Sequence, residues 1–254
     1  MRIFHRISLL LPKNAVAPAL FFFLSSAVSA GDCVVLLHGL NRTSASMQQL
    51  QAALENEKFT VANIDYPSRE QSIEALAKTA VASGIDRCQE QSADAIHFVT
   101  HSLGGILVRQ YFQTNDLDQL GRVVMLGPPN AGSEVVDKLK NLPGFELLNG
   151  PAGEQLGTAE TALPAQLGPV DFELGIIAGS QSINLILSSL IPGQDDGKVS
   201  VENTKVEGMT GFVTLPVTHP FMMSNSSVIE ETIHFLTYGK FSAKSGSNPP
   251  TSAE

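Results

Sequence analysis

Three residue types that together make a nucleophile, a base and an orienting acid stand in this chain where turns present them. Thr100-His101-Ser102-Leu103-Gly104-Gly105 sits where an apolar, strand-like run stops and a helical period begins. A serine on a tight strand-to-helix turn is thrust out of the sheet, and the helix N-terminus behind it offers positive potential to a developing oxyanion. Gly104, two after the serine, lets neighbouring backbone approach closely, whereas Thr100 stands two before it, where a second glycine is usual. The competing reading is an ordinary helix start, since Ser is a good N-cap. Asp195-Asp196-Gly197 puts an acid on a turn, and Thr218-His219-Pro220 puts a histidine in a loop before the last helical period. In such a set His219 takes the Ser102 proton and returns it to the leaving group, while Asp196 holds the imidazole tautomer and stabilises the imidazolium. Asp196 is preferred to Asp195 because it directly precedes the turn-forming Gly197. A solvated Asp-Asp-Gly turn and a calcium site on these carboxylates compete with that reading. Other histidines fit a base worse: His97 lies inside a strand-like run, His234 inside a helical one, and His101 adjoins the serine with its side chain expected to diverge from it.

Further segments join these. Leu37-His38-Gly39-Leu40, the segment around Ser102, Leu126-Gly127-Pro128-Pro129-Asn130-Ala131-Gly132-Ser133, Asp195-Asp196-Gly197-Lys198-Val199-Ser200 and Thr218-His219 extend over Cys33 to about Phe241. Over that length the chain resembles the lipase/esterase branch of the α/β-hydrolase family. The Pro-Pro-x-x-Gly-Ser segment is similar to a loop that borders the site in triacylglycerol-lipase-like proteins. The resemblance implies an α/β fold with a mostly parallel central sheet and helices on both faces. It implies the chain order Ser102, Asp196, His219, which sets aside Asp65 as an acid because it precedes the serine. It also implies an oxyanion hole made by the Leu40 and Leu103 backbone N–H groups, each worth roughly 2.7–4 kcal/mol of transition-state stabilisation. His38 is then a hydrogen-bonder at the turn and not the base. The implied reaction is hydrolysis of a small-molecule or lipid carboxylic ester through an acyl-enzyme on Ser102, with no organic cofactor. Thr100 for glycine and Pro220 after the histidine depart from the pattern. An acyltransferase or thioesterase would use the same residues, and a non-catalytic binding protein is the reading from another class.

The elements that must position these residues are visible as periods. Short, near-continuously apolar runs recur at Cys33–Leu37, Thr60–Ile64, Ala95–Thr100, Arg122–Leu126, Leu174–Ala178 and Gly211–Leu215, as expected of strands covered on both faces. Helical spacing separates several of them, at Ser44–Glu57, Ser72–Asp86, Gly104–Thr114 and Ser226–Tyr238. Such alternation predicts βαβ units and a mostly parallel sheet. Leu142–Val170 is rich in Gly and Pro and reads as an insertion over one edge of the sheet, either a cover for a binding cleft or a surface excursion. No long amphipathic helix is expected in it, so the sequence does not separate a lipase from an esterase. Within the Gly/Ser/Pro-rich Gly239–Glu254, residues 242–254 are expected to form a disordered tail.

Composition narrows the classes. With 43% hydrophobic and 16% charged residues the chain is globular in type, and no internal repeat suggests a solenoid. A net charge of −9 with no Lys/Arg cluster argues against nucleic acid as a partner. Arg2, Arg6 and Lys13 precede an apolar run that ends in Val28-Ser29-Ala30, so residues 1–30 read as a cleaved export signal. The uncharged stretch from Asn14 to Gly31 is near the lower limit for a membrane span, which keeps an N-terminal anchor as the alternative. Losing those three cations makes the remaining surface, over residues 31–241, still more acidic, favouring solubility and leaving transient contact with lipid surfaces without help from anionic headgroups. In an oxidising compartment Cys33 and Cys88 are expected to be bridged, contributing up to about 4 kcal/mol in the chain-entropy account; two buried thiols are the alternative. The implied fold agrees, since strands 33–37 and 95–100 must lie close and start at one sheet edge.

Overall fold

The computed structural model describes residues 31–242. The expected leader over 1–30 and, apart from Ser242, the expected tail over 242–254 lie outside the described residues. The strands are β1 (Cys33–Leu37), β2 (Thr60–Ile64), β3 (Ile96–His101), β4 (Leu120–Leu126), β5 (Leu174–Gly179) and β6 (Gly211–Leu215). They form a single sheet in the order β2-β1-β3-β4-β5-β6, every neighbouring pair parallel.

Burial on both faces explains the apolar runs. In β1 all five residues are buried; Cys33, Val35 and Leu37 join one core, and Val34 and Leu36 join the other. The first core is completed by a helical segment and by α4 (Leu103–Phe112). That segment consists of α2 (Ile73–Leu76), a π turn (Ala77–Val81) and α3 (Ala82–Glu90). The second core takes Leu50 and Leu54 of α1 (Gln48–Asn56) and Val228, Phe235 and Leu236 of α9 (Ser226–Tyr238). α9 begins where Asn225 Oδ1 accepts from the Ser227 and Val228 N–H groups, and it ends at Gly239.

The bridge between Cys33 and Cys88 ties the first residue of β1 to the last turn of α3, with Cα atoms 5.6 Å apart. The helical period expected to stop at Asp86 runs on to Glu90, which brings Cys88 to the sheet. The Gly- and Pro-rich insertion is less loop-like than its composition suggests. It holds α6 (Phe145–Glu154), broken at Gly150, and α7 (Leu163–Gln166); α5 (Glu134–Leu139) precedes it. α8 (Leu185–Ser188) follows β5. Arg109, buried in α4, secures the far half of the insertion by donating to the Pro164 and Gly168 carbonyls. Among the described residues no helix is long and apolar enough to cross a membrane.

Candidate active site

Parallel register delivers the candidate residues to one rim. Leu37 pairs with Thr100 and His101 with Leu126, so the chain after β1, the turn after β3 and the loop after β4 emerge side by side. Ser102 lies between β3 and α4 with φ 52° and ψ −119°, a conformation few non-glycine residues adopt and one that costs about 1–3 kcal/mol. Its amide donates to Leu126 O at 2.9 Å, which fixes the turn to the end of β4.

The loops after β5 and β6 supply the acid and the imidazole. Asp196 Oδ1 accepts from the Lys198 and Val199 amides, both at 2.9 Å, while Oδ2 lies 2.6 Å from His219 Nδ1. A carboxylate oxygen accepts, so Nδ1 carries the proton and Nε2 keeps its lone pair. His219 N–H donates to Asp196 O at 2.9 Å, a second link between the two loops. Asp195 turns elsewhere: its oxygens accept from Gly197 N at 2.7 Å and from Ser188 Oγ at 2.5 Å. The loop after β4 reaches the same place. A Cβ on Gly127 would stand 2.9 Å from Asp196 Oδ2 and 3.1 Å from His219 Nδ1, so only glycine leaves that pair its room.

His38 acts on the turn after β1. Tyr66 N–H donates to its Nε2 at 3.3 Å, so Nδ1 carries the proton and donates to Gly39 O at 2.9 Å. Burial, the largest influence, holds this imidazole below its usual pKa and keeps it neutral. The Gly39 carbonyl and the Leu40 N–H belong to one trans peptide and point in opposite directions. Holding the carbonyl therefore aims the amide away from His38. Among the described residues neither the Leu40 nor the Leu103 amide donates a hydrogen bond. Tyr66 stacks on His38 with ring centroids 4.0 Å apart and donates its hydroxyl to His38 O.

Ser102, Asp196, His219 and Leu40 all line a cavity of about 680 Å³. Val136, Leu139, Leu142, Phe145 and Leu148 make one apolar wall, from α5, α6 and the chain between them. Beyond Leu156 the insertion leaves the cavity. Ile183, just before α8, and Leu187, on it, also line the cavity. Leu147 and Ile186, chain neighbours of the lining residues Leu148 and Leu187, are exposed apolar side chains, at 83% and 78% exposure.

Three features were not anticipated from the sequence. His101, set aside as a base, packs its ring 4.7 Å from that of His219. The lining around α8 was not anticipated, although Ser180 to Gln194 contains no charged residue, a signal that was there to be read. Arg42, also unanticipated, donates to Pro220 O at 3.2 Å and borders the cavity.

Residues 33–163 match the family model described as palmitoyl protein thioesterase. No curated protein matches the chain. Among solved structures, the mature form of a Bacillus licheniformis lipase has a TM-score of 0.65 at 18% identity, covering 83% of this chain and 94% of that one. The phospholipase PlaB of Legionella pneumophila has a TM-score of 0.59 at 18% identity, covering 74% of this chain and 53% of that one. A lipase-esterase related protein of Clostridium acetobutylicum has a TM-score of 0.54 at 16% identity, covering 82% and 95%. At such identities what is shared is the fold, that of the α/β-hydrolases.

Proposed function

This chain belongs to the palmitoyl protein thioesterase family, within the α/β-hydrolases, and from that premise we propose that it cleaves acyl esters through a covalent intermediate on Ser102. The observation that carries the reading is the 2.6 Å contact between His219 Nδ1 and Asp196 Oδ2 on the wall of the cavity that Ser102 also lines.

In this reading Ser102 Oγ attacks the acyl carbon as His219 Nε2 takes its proton. The carbonyl oxygen becomes an oxyanion, and the Leu40 and Leu103 amides donate to it. The carbon–heteroatom bond then breaks, the imidazolium returns its proton to the leaving alcohol or thiol, and the acyl group stays on Oγ. Water repeats the steps: His219 takes a water proton, hydroxide adds to the acyl carbon, and Ser102 Oγ leaves with the proton. The apolar wall from Val136 to Leu148 suits the acyl chain. Export, with the leader removed, remains part of the proposal, and the bridge between Cys33 and Cys88 supports it.

The family match favours a second form of the reading, in which the scissile bond is a thioester. Oxygen esters and thioesters of the same acyl chains, offered with and without an added alcohol, separate esterase, thioesterase and acyltransferase by their products. Fluorophosphonate labelling tests the shared core: wild-type protein is labelled once, Ser102→Ala is not, and Ser102→Ala loses kcat on the order of 10⁶-fold. Folded wild-type protein that takes no label and turns over no ester in the panel would refute the proposal.

A further inference from the structure

One buried imidazole takes no part in the steps above. His101, next to Ser102, is 2% exposed, and its Nε2 lies 3.0 Å from the His219 carbonyl oxygen. A carbonyl only accepts, so Nε2 carries the proton and donates. The other nitrogen, Nδ1, is buried without a hydrogen-bond partner. It points at Gly39, where an added Cβ would stand 2.6 Å away. Burial first, then the neighbouring His219 and Arg42, holds the ring well below its usual pKa, and it is therefore neutral.

A buried acceptor with no partner carries a desolvation penalty that a leucine here would not. What imidazole provides and leucine lacks is the donor to the His219 carbonyl. A second donor acts on the next carbonyl, where the Arg42 guanidinium reaches Pro220 O at 3.2 Å. Successive carbonyls of the base-bearing loop are thus gripped, one from the serine turn and one from the turn that carries Leu40. The ring of His101 also fills the space between Gly39 and His219, touching both turns at once.

We propose that His101 is a positioning residue: through its Nε2–H it sets the His219 loop against the serine turn and the Leu40 turn, with Arg42 as the second arm of the same clamp. The inference rests on the proposed hydrolysis, because it assigns His219 as the base to be positioned. Displacing a catalytic group by about 1 Å costs on the order of 10²-fold in rate.

Three variants test it. His101→Gln places an amide N–H near the position of Nε2, His101→Asn is too short to reach the carbonyl, and His101→Leu has no donor. The expected result is a kcat lowered about 10- to 100-fold in His101→Asn and His101→Leu, with KM within about twofold and recovery of most of the rate in His101→Gln. A readout independent of turnover is the downfield proton resonance of the His219–Asp196 hydrogen bond. It is expected to shift or broaden in His101→Asn and to return in His101→Gln, with thermal unfolding confirming that each variant is folded. Should His101→Leu not fold, the comparison of Asn with Gln decides alone. Equal kcat and an unchanged resonance in His101→Asn and His101→Gln would overturn the proposal. If even wild-type protein lacks activity, the hydrolase reading fails by itself, and the resonance still judges the clamp.

Discussion

Replacing Asp196 by Asn separates orientation from stability more cleanly than any other change at this rim. The carboxylate accepts from two backbone amides through Oδ1 and from His219 through Oδ2. In Asp196→Asn the side-chain oxygen can keep both amide bonds, so the turn stays closed and stability falls by no more than about 1–2 kcal/mol. The new NH₂ group faces His219 Nδ1 and donates, which makes Nδ1 the acceptor and moves the imidazole proton to Nε2. The nitrogen that takes the Ser102 proton in the proposed mechanism then has no lone pair. Imposing the wrong tautomer lowers kcat about 10⁴-fold, equivalent to about 5 kcal/mol of barrier, while KM stays near its original value. Asp195→Asn is the control, since Asp195 serves Ser188 Oγ and Gly197 N and makes no hydrogen bond to His219. Its kcat is expected within about fivefold of wild type, with a stability loss near that of one hydrogen bond to a charged group, about 1.5–3 kcal/mol. Steady-state kinetics with one activated ester, paired with urea unfolding of each variant, reads both axes. If Asp196→Asn keeps kcat within tenfold, or Asp195→Asn loses as much as Asp196→Asn, the assignment of the acid is wrong.

Other perturbations give outcomes of known sign. Reducing Cys33–Cys88, which closes a sequence separation of 55, removes up to about 4 kcal/mol and lowers Tm by roughly 8–16 °C, and calorimetry with and without reductant measures it. A shift under about 3 °C would show that the unfolded chain is not what the bridge constrains. Gly39→Ala drives a Cβ against His101 Nδ1 and Ser102 Cβ, at 2.6 and 3.2 Å. The Leu40 turn must retreat, so kcat/KM falls about 10²- to 10³-fold, as for a lost oxyanion donor; unchanged kinetics in a folded variant would remove Leu40 from that role. His38, His97 and His101 are all held below the usual 6.5, in each case chiefly by burial. Each is neutral in the fold and gains a proton on unfolding once the pH drops below about 6.5. The unfolded chain then binds more protons, and stability falls by up to about 1.4 kcal/mol per pH unit for each imidazole still neutral in the fold. Urea midpoints at pH 7.5 and 5.5 check this, and a midpoint that rises on acidification contradicts it.

Much of the fold was legible because parallel strands buried on both faces leave a plain mark. Val34 and Val35 face opposite cores, so nothing in β1 is polar, and the run stands out. Ser226–Tyr238 was readable to the residue because Asn225 caps one end and Gly239 the other. Gly197, the reason for preferring Asp196 in the sequence, does adopt a φ of 96°, and the carboxylate that meets His219 is that of Asp196. Contacts made across the fold were the ones that did not show. The side chain of His101 follows from neither its neighbours nor its spacing, since its partner is the main-chain carbonyl of His219, far along the chain. Nor does composition reveal that Arg109 gathers Pro164 and Gly168, which pulls the end of a Gly/Pro-rich stretch away from the cavity. Short helices such as α8 carry too few residues for a period to be recognised.

Because no strand in this sheet runs backwards, every connection at one end of it belongs to the working side and every connection at the other belongs to the foundation. The covalent staple at Cys33 lies among the foundations, a strand's length from Ser102. Insertions or deletions in the connections on the Ser102 side can therefore reshape the cavity while Ser102 and the staple beneath keep their places.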